Sequence, residues 1–103
     1  GNTMISKKEY KEKYNQLINN DLFKLVEQTI DENIIKDKLE DELTLSTHIN
    51  EETVKQILSL ISNKYEDNGW DNLSFILNNV TLFYNYNYND NDNYKYKIKY
   101  VLS

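Results

Sequence analysis

From Val80 to Tyr100 the chain alternates almost without interruption. Tyr84, Tyr86 and Tyr88 are spaced by asparagines, and Tyr94, Tyr96, Ile98 and Tyr100 by Lys95, Lys97 and Lys99. Between the two runs lies Asn89-Asp90-Asn91-Asp92-Asn93. Successive side chains of a strand point to opposite faces, so period-two aromatics on either side of an Asn/Asp cluster predict a β-hairpin. Its one face is aromatic and its other face amide or basic. A hairpin of this kind is either the floor of a core or a stacking surface.

The chain has 103 residues, which implies one domain with one shared core. Gly1-Asn2-Thr3 ahead of Met4 reads as a cloning remnant, leaving residues 4–103 as a single α+β domain. The first residues are too polar for a signal peptide, and no apolar run approaches bilayer length. A soluble, cytoplasmic setting is therefore expected, with no membrane partner. The absence of cysteine removes disulfides, thiolate metal sites and thiol nucleophiles. Arg, Ala and Pro are also missing, whereas Asn, Lys, Ile and Tyr abound, which is the codon usage of an AT-rich genome.

The net charge of −5 and the lack of arginine disfavour binding to nucleic acid. Phosphate neutralisation needs a basic surface, and arginine supplies the bidentate contacts.

Ser6 with Glu9 forms a capping box for a first helix, flanked by an Ile5/Tyr10 staple. Tyr10, Tyr14, Leu17 and Ile18 make one helical stripe. Asn19-Asn20-Asp21 favours caps over helix interiors, which predicts a break or kink there. A second helix then follows from about Leu22 to Lys38 or Leu39, with Leu25, Val26, Ile30 and Ile34 on one face. A single helix through Asn20 is also open, since no Gly or Pro forbids it. Leu43, Leu45 and Ile49 suggest a short strand. Asn50 caps a further helix whose buried face is Val54, Ile57, Leu58, Ile61 and Tyr65. Gly69 follows where a left-handed residue belongs, and Trp70 anchors to the core.

Beyond Trp70 the period becomes two. Leu73, Phe75 and Leu77 alternate, Asn78-Asn79 reads as a tight turn, and Val80 opens the next strand. That turn pairs Leu77 with Val80, Phe75 with Leu82 and Leu73 with Tyr84. A turn at Asn91 pairs Tyr88 with Tyr94, Tyr86 with Tyr96, Tyr84 with Ile98 and Leu82 with Tyr100. Both place the large apolar residues on one face, which predicts a three-stranded meander. The fold expected is α+β: N-terminal helices packed on one face of a mostly antiparallel, three- to four-stranded sheet ending in the Tyr-rich hairpin.

The lysines fall on the face opposite the tyrosines, and the tyrosine face is continuous with Leu73, Phe75 and Leu82. The base of the stripe is thus core. Tyr86, Tyr88, Tyr94 and Tyr96 at the tip are expected to project as a contact surface. Ile76, Phe83 and Val101 form a second apolar spot on the other face. An alternative is a single-stranded nucleic-acid binder, with bases on the tip tyrosines and Lys95, Lys97 and Lys99 on the backbone.

Other constellations are weak. Asp90 and Asp92 lack the glycine and distal glutamate of a calcium loop. His48 is the only histidine, so no two-histidine metal site exists, and a surface or capping role is expected. Asp37 to Glu42 reads as a solvated helix end. No phosphate loop or nucleophile elbow is present, so no enzyme, metal or cofactor is expected.

Tyr65-Glu66-Asp67-Asn68-Gly69-Trp70 ends an amphipathic helix and leads into paired strands. In outline, the segment from Thr44 to Ser103 resembles small accessory or virion-associated proteins of tailed phages. The resemblance implies a viral binding protein, acting in the host cytoplasm. The function expected from these readings is a non-enzymatic, self-associating protein-interaction module.

Overall fold

The structure is a computed structural model that describes residues 4–84 and 93–103. It contains α1 (Lys7–Ile35), β1 (Glu40–Thr47), α2 (Glu51–Asp67), β2 (Leu73–Asn79), the short α3 (Thr81–Tyr84) and β3 (Tyr94–Leu102). The fold is α+β, with α1 and α2 on one face of a three-stranded antiparallel sheet of order β1-β3-β2.

α1 begins at Ser6, whose Oγ accepts the Glu9 N–H at 3.1 Å. No break occurs at Asn19-Asn20-Asp21: one helix of 29 residues runs through them. What changes near these residues is the position of the apolar stripe, not the helix. At about 100° per residue, Tyr10, Tyr14 and Leu17 lie well over 90° round the axis from Val26. The helix stays continuous while its apolar face moves, and burial begins only with the half-buried Ile18 and the buried Leu22. Leu25, expected beside Val26 in the core, is one such step round the axis and half of it is exposed.

The C-terminus of α1 comes earlier than Lys38. Asp37 takes a left-handed conformation with φ 57°, and the Lys38 and Asp37 N–H groups close onto the Asn33 and Ile34 carbonyls. Gly69 does the same for α2 with φ 99°, as the Trp70 and Gly69 N–H groups donate to the Tyr65 and Glu66 carbonyls. α2 itself follows its sequence pattern: Asn50 Oδ1 accepts the Thr53 N–H, and Val54, Ile57, Leu58, Ile61 and Tyr65 are buried.

The sheet departs from the expected meander. β2 does not turn at Asn78-Asn79; it continues through Asn79 and pairs directly with β3, as Leu73 with Leu102, Phe75 with Tyr100 and Leu77 with Ile98. On its other edge β3 pairs with β1, as Leu43 with Ile98 and Leu45 with Tyr96. The pairings of Leu77 with Val80, Tyr84 with Ile98 and Leu82 with Tyr100 are therefore replaced. The local reason lies in Asn79 and Thr81. Asn79 Oδ1 accepts the Thr81 N–H and hydroxyl, an Asx turn that starts α3. The Val80 N–H donates to the Lys95 carbonyl, and Thr81 Oγ1 accepts the Lys95 N–H where a strand carbonyl would stand.

β1 and β2 thus run parallel to each other on either side of β3, joined by α2. As the central strand, β3 has both edges covered, and its inner residues Tyr96, Ile98, Tyr100 and Leu102 are fully buried. α1 contributes Leu22, Val26 and Ile30 to the same core, and Trp70 packs half-buried against it. The expected pairings of Tyr86 and Tyr88, and the loop through Asp90 and Asp92, lie outside the described residues.

The two left-handed caps make a paired prediction. Nothing lies within 4 Å of a Cβ placed on Gly69, so the cost of Gly69→Ala is conformational. It should lower unfolding free energy by about 1 kcal/mol, and Asp37→Gly should raise it by a smaller amount, both read by urea denaturation.

Candidate interaction surface

The alternation of β3 divides its side chains between two environments. The inner row packs under α1 and α2, and the outer row is Lys95, Lys97, Lys99 and Val101. Pairing fixes the neighbours on the outer face. Lys99 lies between Glu42 and Ile76, Lys97 between Thr44 and Asn78, and Val101 between Glu40 and Ser74. Lys99 Nζ stands 3.8 Å from a Glu42 carboxylate oxygen, an exposed pair of small energetic weight.

Ile76 and Val101 are diagonal neighbours across β2 and β3 on this face, a separation of roughly 7–8 Å between such positions. They are 61% and 49% exposed. Phe83 does not complete their patch. It sits on α3, beyond the end of β2 that lies opposite Tyr96, and is 71% exposed beside the still more open Leu82. The single spot expected from Ile76, Phe83 and Val101 assumed a strand at Val80–Tyr84, and the helical turn there separates Phe83 from the other two.

The tyrosines fall differently from expectation. Tyr96 is not a projecting tip residue: it is 0% exposed, and its hydroxyl donates to the Ile49 carbonyl at 2.8 Å. Tyr94 is half-buried and stacks on Tyr96 with ring centroids 6.0 Å apart and planes within 8°. Two strand edges hold this stretch down, which the hairpin reading did not anticipate. Tyr86 and Tyr88 fall outside the described residues.

Two polar clusters were not anticipated. In the first, the buried Asn33 donates from Nδ2 to Tyr100 Oη at 2.7 Å and to Asp41 Oδ2 at 2.9 Å. Asp41 Oδ1 accepts the Glu42 N–H, which with the Asn33 bond holds the carboxyl below its ordinary range. Asp41 is thus more than part of a solvated run. In the second, the Tyr65 hydroxyl donates to Asp31, and Lys64 pairs with Glu27 while lying 5.5 Å over the Phe23 ring. A cleft of about 260 Å³ beside this cluster is bounded by Ile34, Asn68 and Trp70. The only sequence signal for either was polar residues at core-facing positions: Asn33 between Ile30 and Ile34, and Asp41 two before Leu43.

These clusters and the buried Tyr96 hold the groups whose titration departs from the ordinary. Burial, reinforced by the Asp31 hydrogen bond, pushes the Tyr65 phenol well up. Burial raises Tyr100 as well and pushes Tyr96 up to about 12. His48 lies exposed on the rim of a groove of about 220 Å³ with Tyr14, Ile18 and Thr53. Among the described residues no group of three or more acidic or histidine side chains is placed to hold a metal ion. Nor is any helix among them long and apolar enough to cross a membrane.

No family model matches the chain, and no curated protein or solved structure matches it either.

The raised phenols predict a specific alkaline response. An unfolded Tyr96 ionises near 10, whereas the folded one holds its proton to about 12. The unfolded state therefore loses protons first, and stability present below pH 10 should fall as pH rises toward 12. Urea titrations across that window should show the loss. Tyr96→Phe should reduce the loss, leaving the share carried by Tyr65 and Tyr100, while costing about 1–2 kcal/mol at neutral pH, because the Ile49 carbonyl loses its partner. An unchanged alkaline slope in the variant would mean that Tyr96 is not the group responsible.

Proposed function

We propose that this chain is a small non-enzymatic interaction module that receives a protein partner on the outer face of its sheet, around Ile76 and Val101. The observation that carries the reading is this apolar pair, adjacent across two strands and about half exposed or more, on a face that neither α1 nor α2 covers. Single exposed apolar residues are ordinary on any protein surface. Here the two adjoin each other and are bordered by Glu40, Glu42, Lys99 and Ser74, which is the arrangement of a small apolar centre with a polar rim. Leu82 and Phe83 on α3 add a second apolar element beyond the sheet's end.

The non-enzymatic reading is supported by where the perturbed groups sit. Tyr65, Tyr96, Tyr100 and Asp41 all have internal hydrogen-bond partners that join one part of the fold to another. A viral origin in a tailed phage is part of the proposal and rests on the helix-Gly-Trp outline alone. Base stacking is the weaker alternative, because Tyr96 is buried in the core and Lys99 already faces Glu42.

Ile76→Ser with Val101→Ser removes the apolar pair from an exposed face. The double variant should keep the thermal unfolding midpoint near that of the parent and lose most of the protein retained when the chain is used as bait in a lysate of its source. Equal retention by both baits would remove the sheet face as the contact. Binding of labelled single-stranded RNA or DNA at low salt, lost on Lys95→Ala and Lys97→Ala, would favour the alternative.

A further inference from the structure

Backbone bonds fix which groups the two outer strands of the sheet present at their edges. Asn72 and Ser103 bond each other through both N–H groups, at 3.1 and 2.9 Å, and the Val80 N–H donates to the Lys95 carbonyl. Such pairs alternate along an antiparallel ladder, so Ser74, Ile76 and Asn78 turn their backbone groups to β3. Leu73, Phe75 and Leu77 turn theirs outward. The Leu73 carbonyl is taken by the Ser62 hydroxyl at 2.8 Å. Among the described residues nothing pairs with the N–H and C=O groups of Phe75 and Leu77.

The other edge is guarded. The Leu102 N–H donates to the Leu39 carbonyl, so by the same count β1 turns Glu40, Glu42, Thr44 and Ser46 outward. There the Glu42 N–H is already capped by Asp41 Oδ1 at 2.8 Å, and Glu40, Asp41 and Glu42 charge the strand. β2 reads Leu-Ser-Phe-Ile-Leu-Asn-Asn, with no charge and no proline. An edge without either is a template for another strand, which supplies backbone partners and alternating side chains.

The strand that fits is β2 itself. Paired antiparallel with a second β2 about a two-fold axis at Ile76, it sets Phe75 beside Leu77 of the other copy, Ile76 beside Ile76 and Ser74 beside Asn78. Apolar residues meet apolar ones, polar meet polar, and inner and outer faces are kept. An axis at Phe75 or Leu77 would instead set Ile76 against Ser74 or Asn78. At Ile76 the unmet groups of Phe75 and Leu77 also bond each other across the axis. The half-buried Phe75 and Leu77 border a groove of about 320 Å³, and Lys55 beside it pairs with Glu51 at 3.8 Å. We infer that two copies of this chain join edge to edge through β2, antiparallel about Ile76, into one sheet of order β1-β3-β2-β2-β3-β1. The pairing needs no partner on the outer face.

The chain has no cysteine, so engineered disulfides report the register. Ile76 meets its copy at a non-hydrogen-bonded site, where Cα atoms lie about 4.5 Å apart, a span that a disulfide bridges. Ile76→Cys should therefore oxidise to a dimer. Ser74→Cys chains mixed with Asn78→Cys chains should cross-link to each other in preference to like chains. In sedimentation at matched concentration the parent should be a dimer. Ser74→Glu with Asn78→Glu, both on the exposed outer row, should give a monomer that keeps the parent's circular dichroism. Ser74→Lys with Asn78→Lys should do the same, and an equal mixture of the two double variants should regain the dimer. Val101→Ser, one strand in from the edge, should leave the dimer intact. A monomeric parent, a preference for links between like chains, or a dimer that withstands the paired glutamates would each overturn the pairing. A dimer lost on Val101→Ser would place the contact on the outer face and overturn it too.

Discussion

A buried tyrosine brings a large apolar ring into a core together with a hydroxyl that must find a partner there. This small domain meets that demand three times, and each solution ties one element to another. Tyr96 on β3 reaches the Ile49 carbonyl in the connection between β1 and α2. Tyr100, also on β3, accepts from Asn33 on α1, which in turn bonds Asp41 on β1. Tyr65 on α2 reaches Asp31 and the Glu27 carbonyl on α1. Among the described residues no buried side-chain polar atom is left without a partner. Apolar packing alone would tolerate small rotations of α1 over the sheet; these directed bonds do not.

The central place of β3 follows from the same residues. A strand with one free edge leaves its ring residues partly in water, whereas one paired on both sides can bury rings as large as Tyr96 and Tyr100 completely. The strand with the bulkiest inner row is therefore the one flanked by β1 and β2, with Phe75 packed at 6.2 Å against its cross-strand partner Tyr100. Lysines on the alternate positions point to the outer face, which neither α1 nor α2 covers.

Local signals were read correctly where a few neighbouring residues determine them. The Ser6 and Asn50 caps, the buried face of α2, the left-handed Gly69 and the split of β3 into tyrosine and lysine faces all belong to this kind. Two larger features were misread for physical reasons. Asn19-Asn20-Asp21 has poor intrinsic helix preference, but flanking turns with good formers and the packing of Leu22 and Val26 carry the helix through it. Asn78-Asn79 has the composition of a hairpin turn, yet β3 supplies a partner for β2 as far as Asn79 from a distance in sequence that no local pattern reports. Choosing the wrong partner for β2 also moved Phe83 next to Ile76 and Tyr96 out to a tip. The polar clusters at Asn33 and Tyr65 had no local signal beyond a polar residue on an apolar face.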